Sequence, residues 1–127
     1  MKNPIIDVSH VYFSYNGSPI LTDVCLEITE KEFVAFIGPN GGGKTTLIKL
    51  LLGLLKPDRG TIRIMGQPPA KVAHRIGYVP QDVSINKSFP ISVMDVVLMG
   101  RLQSFRGAKI SKNDRSAAEH ALESLEM

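Results

Sequence analysis

The chain lacks a second cysteine, so no disulfide can form within it, and Cys25, flanked by Val24 and Leu26, is expected to be a small buried hydrophobe of a reducing compartment, read as cytoplasmic. It lacks a leader-like stretch as well. The first ten residues, MKNPIIDVSH, carry Asp7 and His10 and never reach the apolar run of about seven that a signal peptide needs. Its most apolar segment, Leu47 to Leu55, is broken by Lys49 and is far too short to cross a bilayer, so no direct membrane insertion is expected. Basic clusters are absent. Fifteen Lys and Arg against twelve Asp and Glu leave a net charge of +3 with the cations scattered, which argues against a nucleic-acid face and suits a polyanionic small molecule equally well. His10, His74 and His120 stand far apart and, with one Cys, show no metal-ligand spacing; they read as surface or strand-packing histidines. There are no repeats and no low-complexity tracts. What remains is an ordinary globular composition, 43% apolar and 21% charged over 127 residues, enough for one domain or part of a larger one.

The periodicity predicts strands over Ile5 to Tyr15 and Ile20 to Ile28, where Val24, Leu26 and Ile28 alternate with Cys25 and Glu27. Asn16-Gly17-Ser18-Pro19 between them has turn chemistry, so an antiparallel pair with a short loop is expected. The continuously apolar run Phe33 to Ile37 reads as a strand buried on both faces, ending at Gly38. Leu47 to Leu55 is apolar nearly all round a helix, closed by Gly53 and Lys56-Pro57. Short strands are expected at Thr61 to Met65 and Ile76 to Val79. Ser92 with Asp95, and Ser111 with Asp114, have the form of capping boxes opening two further helices, the second running to the last residue without a closing turn.

Gly38-Pro39-Asn40-Gly41-Gly42-Gly43-Lys44-Thr45 fits the phosphate-binding pattern G-x-x-x-x-G-K-[ST]. A loop that wraps a phosphate must turn successive backbone N–H groups inward, which glycines with positive φ allow. The helix that follows aims unpaired N–H groups and its positive dipole end at the same phosphates. Lys44 adds a mobile cation for the β- and γ-phosphates, Thr45 a hydroxyl for Mg²⁺, and Thr46 lies within reach of the α-phosphate. The plain alternative is a glycine-rich strand-to-helix turn without a ligand. The loop specifies a nucleoside triphosphate and little more, since GTPases, kinases, recombinases and transport motors share it. A GTPase or kinase is a rival reading, although no NKxD guanine-reading motif occurs.

Taken together, FSYNGSPILTDVCLEI, GPNGGGKTTLIKLLLGLLKPDRGTIRIMG and IGYVPQD resemble the nucleotide-binding subunits of ABC transporters, over about Ile5 to Arg101. The resemblance implies an α/β fold: a P-loop NTPase core with a mostly parallel sheet and helices, plus an N-terminal antiparallel β region, here as an incomplete domain. Residues 1–66 would hold the β region and phosphate loop, and 67–127 the Q-loop and the start of a helical region. Tyr15 matches the position on which adenine stacks; by itself it reads as a strand-end tyrosine covering core. Gln81 matches the Q-loop glutamine, whose amide oxygen joins the Mg²⁺ shell or orients water; by itself it reads as a solvated loop residue. Asp82 fits the Q-loop better than a second nucleotide motif, because Pro80 and Gln81 separate it from the preceding apolar run. The stretch Phe89 to Arg101 is similar to the branch that drives uptake of zinc, manganese or chelated iron, where this region touches the permease.

The LSGGQ signature, the second aspartate with its glutamate and the switch histidine do not occur in these residues. The resemblance therefore implies the N-terminal half of such a subunit. It would bind ATP·Mg²⁺ weakly and hydrolyse it negligibly, while the complete subunit is an ATPase. Expected partners are an integral membrane permease and a second copy of the subunit, with the chain peripheral on the cytoplasmic side of the membrane. A non-hydrolysing, nucleotide-sensing or permease-docking module is the other alternative, with Ile91 to Arg101 as its working surface.

Overall fold

The computed structural model describes residues 3–82, 88–101 and 109–126. They form two compact units, Met1–Tyr78 and Val79–Met127.

The first unit is built on a three-stranded antiparallel sheet of order β2-β1-β3, with β1 at Ile6–Tyr15, β2 at Ser18–Ile28 and β3 at Arg59–Ile64. Strands β1 and β2 form the expected pair, but on a tighter turn. Asn16 and Gly17 alone make the corner, both at positive φ (48° and 80°), as a two-residue hairpin matching strand twist requires. Ser18 and Pro19 already belong to β2. Pro19 is tolerated there because β2 is an edge strand.

Three register shifts interrupt the β1–β2 pairing, and two of them are bulges that bear on the core face. Val8 pairs with Leu26 and Val11 with Val24, so Ser9 and His10 together face Cys25; Phe13 pairs with Leu21, so Thr22 and Asp23 together face Tyr12. His10 and Asp23 both take left-handed conformations, φ 50° and 52°. Each bulge restores the parity that puts Val8, Val11, Phe13 and Leu21 on the same buried face. Gly60 of β3 backs the first bulge, since a Cβ there would collide with the His10 carbonyl oxygen.

Helix α1, Lys44–Leu51, covers the sheet with Leu47 and Leu50, which join Val8, Val11, Phe13, Leu21, Ile62, Ile64 and Val72 in the core. Gly53, at φ 73°, follows its end. A short helix α2, Pro69–Val72, and a 3₁₀ turn at Ala73–Arg75 follow β3.

Three expectations are corrected here. Phe33 to Ile37 forms no strand, and Phe33 and Ile37 are 97% and 94% exposed. A doubly buried parallel strand needs ladder neighbours, and no strand among the described residues pairs with this run. Ile76 to Val79 likewise forms no strand, with Val79 exposed. Cys25 is exposed rather than buried: its neighbours Val24 and Leu26 take the inner face, and the pleat turns the thiol outward.

The second unit contains α3, Val93–Met99, and α4, Lys112–Glu123. Both open with complete capping boxes, Ser92 with Asp95 and Ser111 with Asp114. Arg101 Nε donates to Asp114 Oδ1 at 3.0 Å, while Leu98 and Ala118 are the buried apolar residues of the two helices. Arg115 and Glu119 form the i, i+4 pair on the solvated face of α4 at 3.8 Å. Helix α4 closes at Glu123 with turn residues 124–126, so the helical pattern does stop within the chain. No helix among the described residues is long and apolar enough to cross a membrane.

Candidate nucleotide-binding site

The phosphate-loop motif runs directly into α1, and its geometry follows from glycine. Gly41 and Gly43 take φ 81° and 84°, which turn the backbone back on itself ahead of the helix. Gly43 is also held close to β2, since a Cβ on it would lie 2.7 Å from Leu21 Cδ2. Gly42 N–H donates to Pro39 O at 3.1 Å, closing the turn. The helix ladder begins at Gly43, whose carbonyl accepts from Leu47 N–H at 2.8 Å.

The start of α1 is prepared for an anion. Gly43 offers no side chain to cap the helix, and the first turn holds no acidic residue. The contrast with α3 and α4 is direct, because each of those satisfies its first N–H groups with its own Ser and Asp. Lys44 Nζ donates to Gly38 O at 2.5 Å and to Pro39 O at 2.7 Å, so the cation is folded over the loop it follows. The residues present thus fit a phosphate chain on three counts: an uncapped helix start, a cation folded against the loop that precedes it and glycines where side chains would intrude. A groove of about 390 Å³ beside the loop is lined by Leu21, Phe36, Gly42, Gly43, Lys44 and Leu47.

The other expected residues are placed as follows. Gly38, Pro39, Asn40 and Thr45 are exposed, and Thr45 has a hydroxyl accessible to a hydrated cation. Thr46 is buried at 8% exposure, so the phosphate contact expected from its place in the motif is not supported by accessibility. Tyr15 stands at the end of β1, 41% exposed as a residue, with its ring edge-to-face against Phe13 and centroids 4.8 Å apart. The contact with Phe13 fits the reading of a strand-end tyrosine covering core, and part of the residue is left open. Gln81 lies exposed in the irregular segment after Val79, in the second unit.

Spacing missed one cluster. His10, Asp23 and Cys25 present ligand-type atoms all within 4.8 Å of one another on the outer face of the hairpin. Residues 10, 23 and 25 carry no metal-site spacing; the parity break between Val8 and Val11, and again between Leu21 and Val24, was the available signal for the bulges that gather them.

Residues 21–127 match the family model described as ABC transporter. The chain is 38% identical over 123 residues to the zinc transport system ATP-binding protein TroB of Treponema pallidum, covering 96% of this chain and 46% of that protein. It is 45% identical over 96 residues to the manganese transport system ATP-binding protein MntB of Bacillus subtilis, covering 76% and 38%. It superposes on cbiO1 of Clostridium perfringens, part of the ABC transporter complex cbiONQ, with a TM-score of 0.80 and 28% identity over 99% of this chain and 52% of that one. The chain spans about half the length of the curated relatives it matches. A phosphate loop of this form on an antiparallel β region, matched by family and by structure, places the chain in the ABC transporter family of ATP-binding proteins.

Proposed function

We propose that this chain supplies the ATP-binding portion of a subunit that powers metal-ion uptake through an ABC-type membrane permease. The observation that carries the ATP-binding half of this reading is Lys44 folded over Gly38 and Pro39 at the uncapped start of α1. The metal half is supported by relatives whose names specify zinc and manganese transport, at 38% and 45% identity.

In this reading the backbone N–H groups of Gly38, Asn40, Gly41, Gly42 and Gly43 receive the β-phosphate, Pro39 shapes the loop without donating, and the dipole of α1 contributes about 0.3 to 2 kcal/mol. Lys44 neutralises the β- and γ-oxygens. Thr45 would hold Mg²⁺, which would supply charge neutralisation, with Gln81 assigned to the same ion by the resemblance, and Thr46 would contact the α-phosphate. Tyr15 stacks adenine, a contact worth about 1 to 3 kcal/mol per base. The whole protein is read as a peripheral subunit on the cytoplasmic face of the membrane, paired with a second ATP-binding subunit. The permease would meet the Ile91 to Arg101 segment, where Val93, Val96 and Met99 of α3 are each about half exposed.

The catalytic glutamate and signature of the family are missing from these residues, so this chain is expected to bind ATP·Mg²⁺ without sustained turnover. Calorimetry with ATP·Mg²⁺ and GTP·Mg²⁺ tests the reading: ATP binds, and Lys44→Ala weakens it about tenfold or more while circular dichroism is unchanged. Equal affinity for GTP would favour another P-loop class. Turnover abolished by Lys44→Ala would overturn the expectation of inactivity. The docking alternative draws on the same exposed face of α3; capture of a metal permease by wild type and Lys44→Ala alike would favour it.

A further inference from the structure

The geometry points to a surface site for a borderline divalent transition metal, of the Zn²⁺ or Co²⁺ type, formed by His10 Nδ1, Asp23 carboxylate and Cys25 Sγ on the outer face of the β1–β2 hairpin. The donors come together through the two bulges. The first sets His10 directly across from Cys25, and the second turns Asp23 back toward both. His10 Nδ1 stands 2.7 Å from Asp23 Oδ1 and 3.8 Å from Cys25 Sγ. In a tetrahedral centre with bonds of about 2.0 Å to N and O and about 2.3 Å to S, donor atoms stand roughly 3.3 to 3.7 Å apart. Small rotations of three exposed side chains reach that geometry, opening the N to O separation and closing the N to S separation.

Two features distinguish the cluster from a chance surface ion pair. The backbone N–H of His10, released from the ladder by its bulge, donates to Cys25 Sγ at 3.3 Å. That is the outer-shell contact a metal-bound thiolate uses, and it orients the sulfur before any ion arrives. The His10 bulge is also fixed from its other side by Gly60, whose missing side chain leaves room for the His10 carbonyl. Imidazole, thiolate and carboxylate together suit a borderline ion rather than Mg²⁺ or Ca²⁺, and exposure leaves the remaining coordination position to water. Binding releases the thiol proton to solvent and clears the proton shared by His10 Nδ1 and Asp23, the neutral imidazole keeping its N–H on Nε2.

Cys25 is the only cysteine in the chain, so a thiolate-to-metal signal reports on this position alone. The full 127-residue chain, without nucleotide, is titrated with Co²⁺. The expected result is a sulfur-to-cobalt charge-transfer band saturating at one ion per chain and displaced by Zn²⁺. Cys25→Ser abolishes the band. His10→Asn and Asp23→Asn, chosen because Asn tolerates the left-handed backbone at both bulges, weaken binding about tenfold or more. As a second readout, Zn²⁺ slows alkylation of Cys25 by iodoacetamide in the wild type and not in His10→Asn. No band in excess Co²⁺, or a band equally strong in His10→Asn and Asp23→Asn, overturns the site.

Discussion

Phe13 and Phe33 are the same residue in two apolar runs of the same unit, and they end in opposite surroundings. Phe13 is 7% exposed in β1, with β2 and β3 laddered to either side and α1 covering the sheet; Phe33 is 97% exposed. Composition does not separate the two runs. What separates them is whether the chain offers a neighbour. The β1–β2 pair closes through a two-residue corner and needs only local chain, whereas a parallel strand needs a distant segment to arrive beside it.

That contrast can be broken in order of expected effect. Phe13→Ala should cost about 3 to 5 kcal/mol, enough to unfold a marginal domain, and urea denaturation would show it. A loss near zero would mean that the sheet is not the core of this unit. Gly43→Ala joins the sheet to the phosphate loop: its φ of 84° and the approach to Leu21 predict about 1 to 3 kcal/mol of strain, read by denaturation, together with weaker ATP·Mg²⁺ binding by calorimetry. Ser111→Ala examines structure that needs no distant partner at all. It should remove one capping box and reduce helical circular dichroism by less than Gly43→Ala reduces stability. The same boxes set a pH response. Hydrogen bonds from Ser92 and Ser111 hold the carboxyls of Asp95 and Asp114 below their ordinary value. Because these folded values are depressed, their contribution is complete above the ordinary value of about 3.9 and is lost as pH falls through the folded values; helicity followed below about pH 4 should decline. Phe33→Ala should change stability by no more than about 0.5 kcal/mol, and a larger loss would show that the run is packed in solution.

Legibility in the sequence followed the range of the interaction. The capping boxes at Ser92 and Ser111 were readable because each is a contact three residues long, and both formed. The phosphate loop was readable as a pattern because its residues are consecutive, and in the structure Lys44 folds over Gly38 and Pro39 while Gly41 and Gly43 take positive φ. The strand at 33–37 was misread because apolarity reports a demand for burial without reporting whether anything meets it. Cys25 was misread for a related reason: apolar neighbours in a strand face away from the residue between them.

The residues by themselves determined the hairpin, the phosphate loop and the caps of α3 and α4, because in each the interacting groups lie within a few positions of one another and the local free energy selects one conformation. Only the tertiary structure decided which apolar runs are buried, and that His10, Asp23 and Cys25 share one face. Both depend on register between segments, and a single bulged residue is enough to move a side chain from one side of a sheet to the other.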